Sequence, residues 1–132
     1  MPQWNSILCR YGELALKGGN RTKFENAFIR SIRRALLEIE DLQVLRERGR
    51  ILLGLPNQAA FTKVQIQIIR TQMPKVFGLT SYSPGVVVAT KLDALDTVVR
   101  EIIPDAYAEA EAERPSGPIT FRVRTRRAFK LF

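Results

Sequence analysis

The stretch RTKFENAFIRSIRRALLE, from Arg21 to Glu38, carries a helical pattern of apolar residues. The apolar positions recur at spacings of three and four, which places them on one face of an α-helix. Asn20 is the predicted N-cap of this helix. Lys23, Arg30 and Arg34 form a cationic stripe elsewhere on the same helix. The apolar face consists of Phe24, Phe28, Ile32, Ala35 and Leu36, followed by Ile39.

Strand patterns lie on both sides of this helix. Asn5 to Tyr11 alternates in the manner of a strand, with Ile7 and Cys9 on the same side as Tyr11. Beyond the helix, Gln43–Glu47 and Ile51–Leu55 are short strand candidates. Arg48-Gly49-Arg50 between them suits a hairpin turn.

A second helix and further β-prone residues follow. The helix is predicted to end near Met73 and is marked by Phe61, Val64, Ile68 and Ile69. Val76–Tyr82 and Val86–Thr90 are then β-prone around Ser83-Pro84-Gly85. The order β-α-β-β-α-β predicts an α+β fold, with a ferredoxin-like (βαββαβ) N-terminal domain in residues 1–80.

Residues 81–132 are predicted to form a second region. Leu92–Ile103 is a third amphipathic helix, which Pro104 is expected to limit, and Ala106–Arg114 is expected to continue as an exposed helical segment. Ile119–Arg126 alternates as a strand with its apolar residues facing inward. The opposite face of that strand then carries Arg122, Arg124 and Arg126.

The composition argues against catalysis by this chain. Its 132 residues contain no histidine and one cysteine, Cys9, so an intramolecular disulfide, a CxxC motif and the usual general base are all excluded. Cys9 is expected to be a small core residue with an inert thiol. No uninterrupted apolar run reaches the roughly 18 residues of a membrane span, and no secretory signal is readable, so a cytoplasmic location is the expectation.

Charge is distributed unevenly along the chain. The net charge is +8; residues 1–90 hold 13 Lys and Arg against 6 Asp and Glu, residues 91–117 hold 3 against 7, and residues 118–132 hold 5 against none. Such cationic clusters suit a phosphate backbone, although a solvated surface is an equal alternative on charge alone. Lys17-Gly18-Gly19-Asn20-Arg21 adds a helix N-terminus that favours an anion, but it lacks Walker A spacing.

Two motifs resemble a known family. RYGELALKGGNR, from Arg10 to Arg21, followed by Phe24-Glu25, closely resembles the opening of ThiI proteins, which are tRNA 4-thiouridine synthetases. TFRVRTRR, from Thr120 to Arg127, resembles the basic strand of the THUMP domain that follows the ferredoxin-like domain in that family. The resemblance implies an incomplete THUMP α/β domain in residues 81–132 and tRNA binding by both domains, chiefly at the acceptor end. With the charge pattern, it gives as RNA-binding candidates Lys17, Arg21, Lys23, Arg30, Arg34, Arg122, Arg124, Arg126, Arg127 and Lys130.

The same resemblance implies the activity of a full-length protein. A downstream PP-loop domain would use ATP to install sulfur in tRNA as 4-thiouridine, and a cysteine desulfurase would be its partner. Many members also supply sulfur for thiamine thiazole synthesis. These residues contain neither the SGGxDS adenylating motif nor a rhodanese cysteine, so no catalytic residue, cofactor or metal is expected in this chain. Ala128-Phe129-Lys130 departs from the family's more usual small residue, acid and lysine.

A second interpretation remains open. The chain could be a stand-alone α+β module that binds nucleic acid, or a protein partner, without any linked reaction. A cloned fragment and a truncated gene are further alternatives. The sequence also leaves open whether two copies form a homodimer and which tRNA is bound.

Overall fold

The computed structural model describes residues 4–12, 20–47, 50–113 and 117–125. Four strands and three α-helices lie in these ranges. In chain order they are β1 (Ser6–Tyr11), α1 (Arg21–Ala35), β2 (Gln43–Glu47), β3 (Arg50–Gly54), α2 (Lys63–Gln72), β4 (Leu79–Gly85) and α3 (Leu92–Glu113). The predicted turn residues Arg48 and Gly49 lie outside the described ranges.

The four strands form one sheet in the order β2-β3-β1-β4, and every neighbouring pair is antiparallel. The unit β1-α1-β2 is therefore split by β3, and the unit β3-α2-β4 is split by β1. Two interleaved split βαβ units make the ferredoxin-like fold. The predicted α+β, ferredoxin-like architecture is confirmed.

Both α1 and α2 contribute to the apolar core of this sheet. The alternation of β1 places Ile7 and Cys9 in the core, and the three- and four-residue spacing of α1 buries Phe28 and Ile32 against them. Fully burying each large side chain of this kind contributes about 1.5–3 kcal/mol. Other members of the cluster are Tyr11, Leu36, Ile39, Ile51, Leu53, Phe61, Ile69, Met73 and Val76.

The start of α2 is fixed by a reciprocal cap. Gln65 N donates to Thr62 Oγ1 at 3.1 Å, and Thr62 N donates to Gln65 Oε1 at 2.9 Å. This capping box satisfies backbone donors that the first turn of a helix leaves free. The sequence pattern had marked the apolar face of this helix but not its cap.

The fourth strand differs from its prediction. β4 runs through Ser83-Pro84-Gly85 instead of ending before it, and Val86–Thr90 is not a strand. Pro84 is tolerated because β4 is an edge strand of the sheet. Beyond Gly85 the hydrogen bonds between strand backbones end, and the Asn5 side chain bonds to the backbone of Val87 in their place. Val87 N donates to Asn5 Oδ1 at 2.7 Å, and Asn5 Nδ2 donates to Val87 O at 3.0 Å.

The chain divides into two compact units, Gln3–Val87 and a second unit that takes in the chain from Val88 onward. Within the second, α3 is one continuous helix that contains Pro104, so the expected limit at that residue is wrong. A proline inside a helix removes one backbone hydrogen bond, and the alanine- and glutamate-rich residues that follow favour continuation. The domain boundary expected at residue 80 stays a prediction.

The strand expected at Ile119–Arg126 does not form in the described part of that segment. Residues 118–125 have no regular secondary structure, and Phe121 and Val123 are exposed rather than packed inward. A strand needs a neighbouring strand to receive its backbone hydrogen bonds, and none of the described strands pairs with this segment. Arg126 lies outside the described residues.

Candidate nucleic-acid interface

The exposed face of α1 carries three of the predicted RNA-binding cations. Burial of Phe28 and Ile32 turns Lys23, Arg30 and Arg34 toward solvent. At 100° per residue these three cations lie within about 40° of one another around the helix, over a length of about 16 Å. None of them forms an ion pair within the described ranges. Their charge is therefore available to an anion.

The structure extends this cationic face with two residues that the sequence patterns did not single out. Arg46, on β2, donates from Nη2 to Asn26 Oδ1 on α1. Arg33 donates from Nη1 to the backbone oxygen of Leu42 at 3.3 Å. Both side chains are exposed, so positive charge continues from the helix to the edge strand beside it. The α1–β2 basic surface is defined as Lys23, Arg30, Arg33, Arg34 and Arg46.

One signal, its alternation with Val44 in β2, could have drawn attention to Arg46 in the sequence. In the β2 alternation Arg46 shares a side with Val44, and the two residues pair with Ile51 and Leu53, which are buried in the core. At the edge of the sheet a long cationic side chain on the core-facing side of a strand can stay in solvent and hydrogen-bond to the helix packed on that side. The partner is Asn26, which lies 20 positions earlier in the chain. That contact is not readable from local spacing.

The N-terminus of α1 agrees with the prediction in the position of the N-cap but lacks the capping hydrogen bond. Asn20 occupies the N-cap position, but its backbone is already helical, with φ −90° and ψ −3°, and its side chain makes no capping hydrogen bond. Arg21 Nε pairs with Glu25 Oε1 at 3.2 Å, one turn along the helix. Part of the Arg21 charge is thereby compensated. Lys17, Gly18 and Gly19 lie outside the described residues.

The C-terminal basic candidates are only partly described. Arg122 and Arg124 are exposed, whereas Arg126, Arg127 and Lys130 lie outside the described ranges, as do Ala128 and Phe129. Arg122 and Arg124 belong to the second compact unit and the α1–β2 basic surface to the first. Each group of cations is accordingly a separate candidate surface.

Cys9 is a buried core residue, as expected. Its side chain has no exposed surface, and burial raises the pKa of the thiol from 9.0 to about 12, an effect that Arg10 partly opposes. A thiol with so high a pKa holds its proton at neutral pH and is a poor nucleophile. Arg10 itself donates from Nη1 to Ser83 Oγ at 2.9 Å and to Ser81 Oγ at 3.3 Å.

The described ranges contain neither a candidate membrane span nor a candidate metal site. None of the helices described is long and apolar enough to cross a membrane. Within the same ranges, no group of three Cys, Asp or Glu side chains is placed to hold a metal ion.

The fold and this surface define a class: a ferredoxin-like α+β domain with a basic helical face. Residues 6–83, more than half of the chain, match the family model of the ThiI ferredoxin-like domain, and the chain belongs to that family. The chain is 33% identical over 129 residues to "Probable tRNA sulfurtransferase" of Brevibacillus brevis. The aligned region covers 98% of this chain and 29% of the relative. The protein of the same name from Lysinibacillus sphaericus is 30% identical over the same coverage.

A solved structure has the same fold. It is a 4-thiouridine synthetase in complex with RNA and bound ATP, with a TM-score of 0.61, 23% identity, and coverage of 81% of this chain and 25% of the other. The chain spans about 29% of the length of the curated relatives named above.

Proposed function

We propose that this chain is the tRNA-binding portion of a tRNA 4-thiouridine synthetase. The observation that carries the proposal is the line of exposed cations on α1, Lys23, Arg30 and Arg34, in a chain of the ThiI family. Arg33 and Arg46 widen that line into a surface, and the 118–132 segment supplies further cations. The substrate would be held near its acceptor end.

The geometry of the α1–β2 basic surface suits a phosphate backbone. A row of about 16 Å is long enough to meet several phosphates of one nucleic-acid strand. Each cation that neutralises a phosphate releases condensed counterions, which favours binding and makes it dependent on salt. Arginine and lysine contacts of this kind fix position and orientation without reading bases.

The chemistry belongs to a part of the protein outside these residues. A PP-loop domain would use ATP to activate the uridine, and a cysteine desulfurase would supply sulfur for 4-thiouridine and, in a related role, for the thiazole of thiamine. This chain would contribute binding and orientation in the cytoplasm. The protonated, buried thiol of Cys9 supports a role without sulfur transfer.

Binding of a tRNA transcript at several salt concentrations tests the proposal. The variant Lys23→Gln/Arg30→Gln/Arg34→Gln should bind more weakly and flatten the slope of log affinity against log salt by roughly 2–3, at about 0.7–0.9 per contact. The matched control is Lys63→Gln/Arg70→Gln/Lys91→Gln, which removes equal charge from other exposed positions. Equal losses in both variants, or no tRNA binding by the unmodified chain, would refute the proposal.

An alternative function as a protein-binding module is favoured by one feature of α3. Its apolar residues recur every three or four positions along one side, and they are 39–71% exposed. Such a stripe is typical of a contact surface for another protein. These residues are Leu92, Leu95, Val99, Ile103 and Tyr107. A folded chain that self-associates and does not bind tRNA would support this alternative.

A further inference from the structure

Phe77 is the most exposed large apolar side chain among the described residues, with 89% of its surface accessible. It lies in the turn between α2 and β4. Burying a phenylalanine side chain stabilises a fold by about 1.5–3 kcal/mol. An exposed Phe77 does not add this stabilisation. The ring is available for contact with another molecule.

The turn that presents Phe77 is held on both sides. Val76 is buried, and its N donates to Met73 O at 3.0 Å. Gly78 has φ +92° and packs so closely on Phe24 that a Cβ would lie 2.9 Å from the Phe24 ring. The backbone is thus constrained on both sides of Phe77, which favours the exposed position of the ring. Preorganisation lowers the entropy cost of binding.

The part of the sequence that contains this ring carries basic residues and no acidic ones. Lys75 is exposed two positions before it. Phe24, which contacts Gly78, follows Lys23 in α1 and precedes Glu25, whose carboxylate is paired with Arg21. The sequence contains no Asp or Glu between Glu47 and Asp93. An exposed aromatic ring in such a setting suits a negatively charged ligand with a flat face.

We propose that Phe77 stacks on an unpaired base of the bound tRNA while neighbouring cations hold its phosphates. This inference rests on the proposed tRNA-binding function and adds to it a contact of a different chemical kind. Stacking of a base on an aromatic side chain is worth about 1–3 kcal/mol and tolerates any base. A base within a duplex is already stacked between its neighbours, so the ring selects unpaired nucleotides.

The test compares Phe77→Ala with Leu37→Ala, a matched control that truncates another highly exposed apolar residue of the same unit. Phe77→Ala should weaken binding of a tRNA transcript by about 5- to 150-fold. The salt slope should not change, because no charge is removed. Phe77→Trp should retain the affinity and show fluorescence quenching by tRNA beyond that of Trp4. Leu37→Ala should bind as the unmodified chain does.

A blunt RNA duplex of similar length separates stacking from other roles of the ring. Phe77→Ala should leave affinity for the duplex unchanged, since the duplex offers no unpaired base. Unaltered tRNA affinity in Phe77→Ala would overturn the inference and leave the proposed function standing. An equal loss of affinity for tRNA and for the duplex would also overturn the inference. The ring would then act through the protein structure or through the RNA phosphate backbone, and not by stacking on a base. Absence of tRNA binding by the unmodified chain would overturn the proposed function and the inference together.

Discussion

Gly78 lies directly against the ring of Phe24, where a Cβ would be 2.9 Å from Phe24 Cζ. Phe24 in turn stacks on Phe28, with ring centroids 5.8 Å apart, and Tyr11 lies 5.6 Å from each. This aromatic cluster joins α1 to β1 and to the turn before β4. The absence of a side chain at Gly78 is therefore a requirement of the packing.

Gly78→Ala should lower the free energy of unfolding by about 2–4 kcal/mol. The methyl group would meet the Phe24 ring, and an L-residue at φ +92° is strained. Gly85→Ala is the matched control, since nothing lies within 4 Å of its added Cβ, and it should change stability by less than about 1 kcal/mol. Urea unfolding followed by circular dichroism measures both. Similar stability of the two variants would contradict this account of the turn.

Arg46→Gln should flatten the salt slope for tRNA binding by about 0.7–0.9, as one lost phosphate contact would. The reason is that the hydrogen bond to Asn26 joins Arg46 to α1, the helix whose exposed side chains include Arg30 and Arg33. Arg70→Gln, which removes an exposed cation of α2, serves as the control and should leave the slope unchanged. The same slope in both variants would exclude Arg46 from the interface.

Cys9→Ala should cost about 1–2 kcal/mol of stability at neutral pH through lost packing, without changing tRNA affinity. The folded thiol, with a pKa of about 12, keeps its proton to higher pH than the unfolded thiol, with a pKa of 9.0. Its stabilising contribution is therefore complete below pH 9 and falls as pH rises from 9 toward 12, by up to about 1.4 kcal/mol per pH unit.

Urea unfolding of both proteins at pH 7, 9.5 and 10.5 would follow this difference. The titration of tyrosines and lysines contributes equally to both proteins, so it cancels in the difference between their unfolding free energies. A stability difference that stays constant across these pH values would contradict the burial of the thiol. A large loss of tRNA affinity in a folded Cys9→Ala variant would give Cys9 a functional role.

Local patterns accounted for most of the first unit. β1, α1 and β2 were predicted close to their observed bounds, because alternation and helical spacing are properties of a few neighbouring residues. The end of α1 was placed at Glu38 although the helix ends at Ala35. Leu36 and Ile39 lie in the turn after the helix and are also buried in the core. The apolar spacing therefore continues beyond the end of the helix.

The differences arose where distant residues decide the structure. Pro84 is tolerated within β4 because that strand lies at the edge of the sheet. Val87 is hydrogen-bonded to Asn5, which is 82 positions away in the sequence. The strand predicted from the alternation of residues 119–125 does not form, because no described strand pairs with this segment. Periodicity reports what a segment favours, and the partner that completes a sheet is not part of that segment.

The same distinction applies to the candidate site. The stripe of Lys23, Arg30 and Arg34 follows from helical geometry, and the structure leaves all three exposed. Arg46 and Phe77 depend on tertiary contacts: one with Asn26, the other through the packing of Gly78 on Phe24. The RNA-binding role of every one of these residues stays a prediction.

Hydrogen exchange should show α3 less protected than β1, β3 and α1. Val98 is the one buried apolar residue of α3 within the described ranges, whereas the sheet and α1 share a continuous core. Few buried contacts allow easy local opening. Mass spectrometry of peptides after exchange gives the comparison. Uniform protection in a chain shown to be monomeric would contradict it; protection that appears only in a dimer would assign α3 to the subunit contact.

Replacing Arg122, Arg124 and Arg126 together by Gln tests the second group of cations. If all three meet phosphates, the salt slope should fall by roughly 2–3. The loss should be about equal for different tRNA sequences, because phosphate contacts position the ligand without reading bases. Arg122 and Arg124 are exposed, so the stability of the chain should change little. Circular dichroism is the folding control.

The triple Arg→Lys variant at the same positions separates charge from geometry. It keeps all three positive charges, so its salt slope should remain that of the unmodified chain; any loss of affinity would then report bidentate contacts that lysine cannot make. An unchanged slope in the folded Gln variant would show that these arginines are ordinary surface charge. The residues that bind RNA would then lie on the α1–β2 basic surface or in the segment from Lys17 to Arg21.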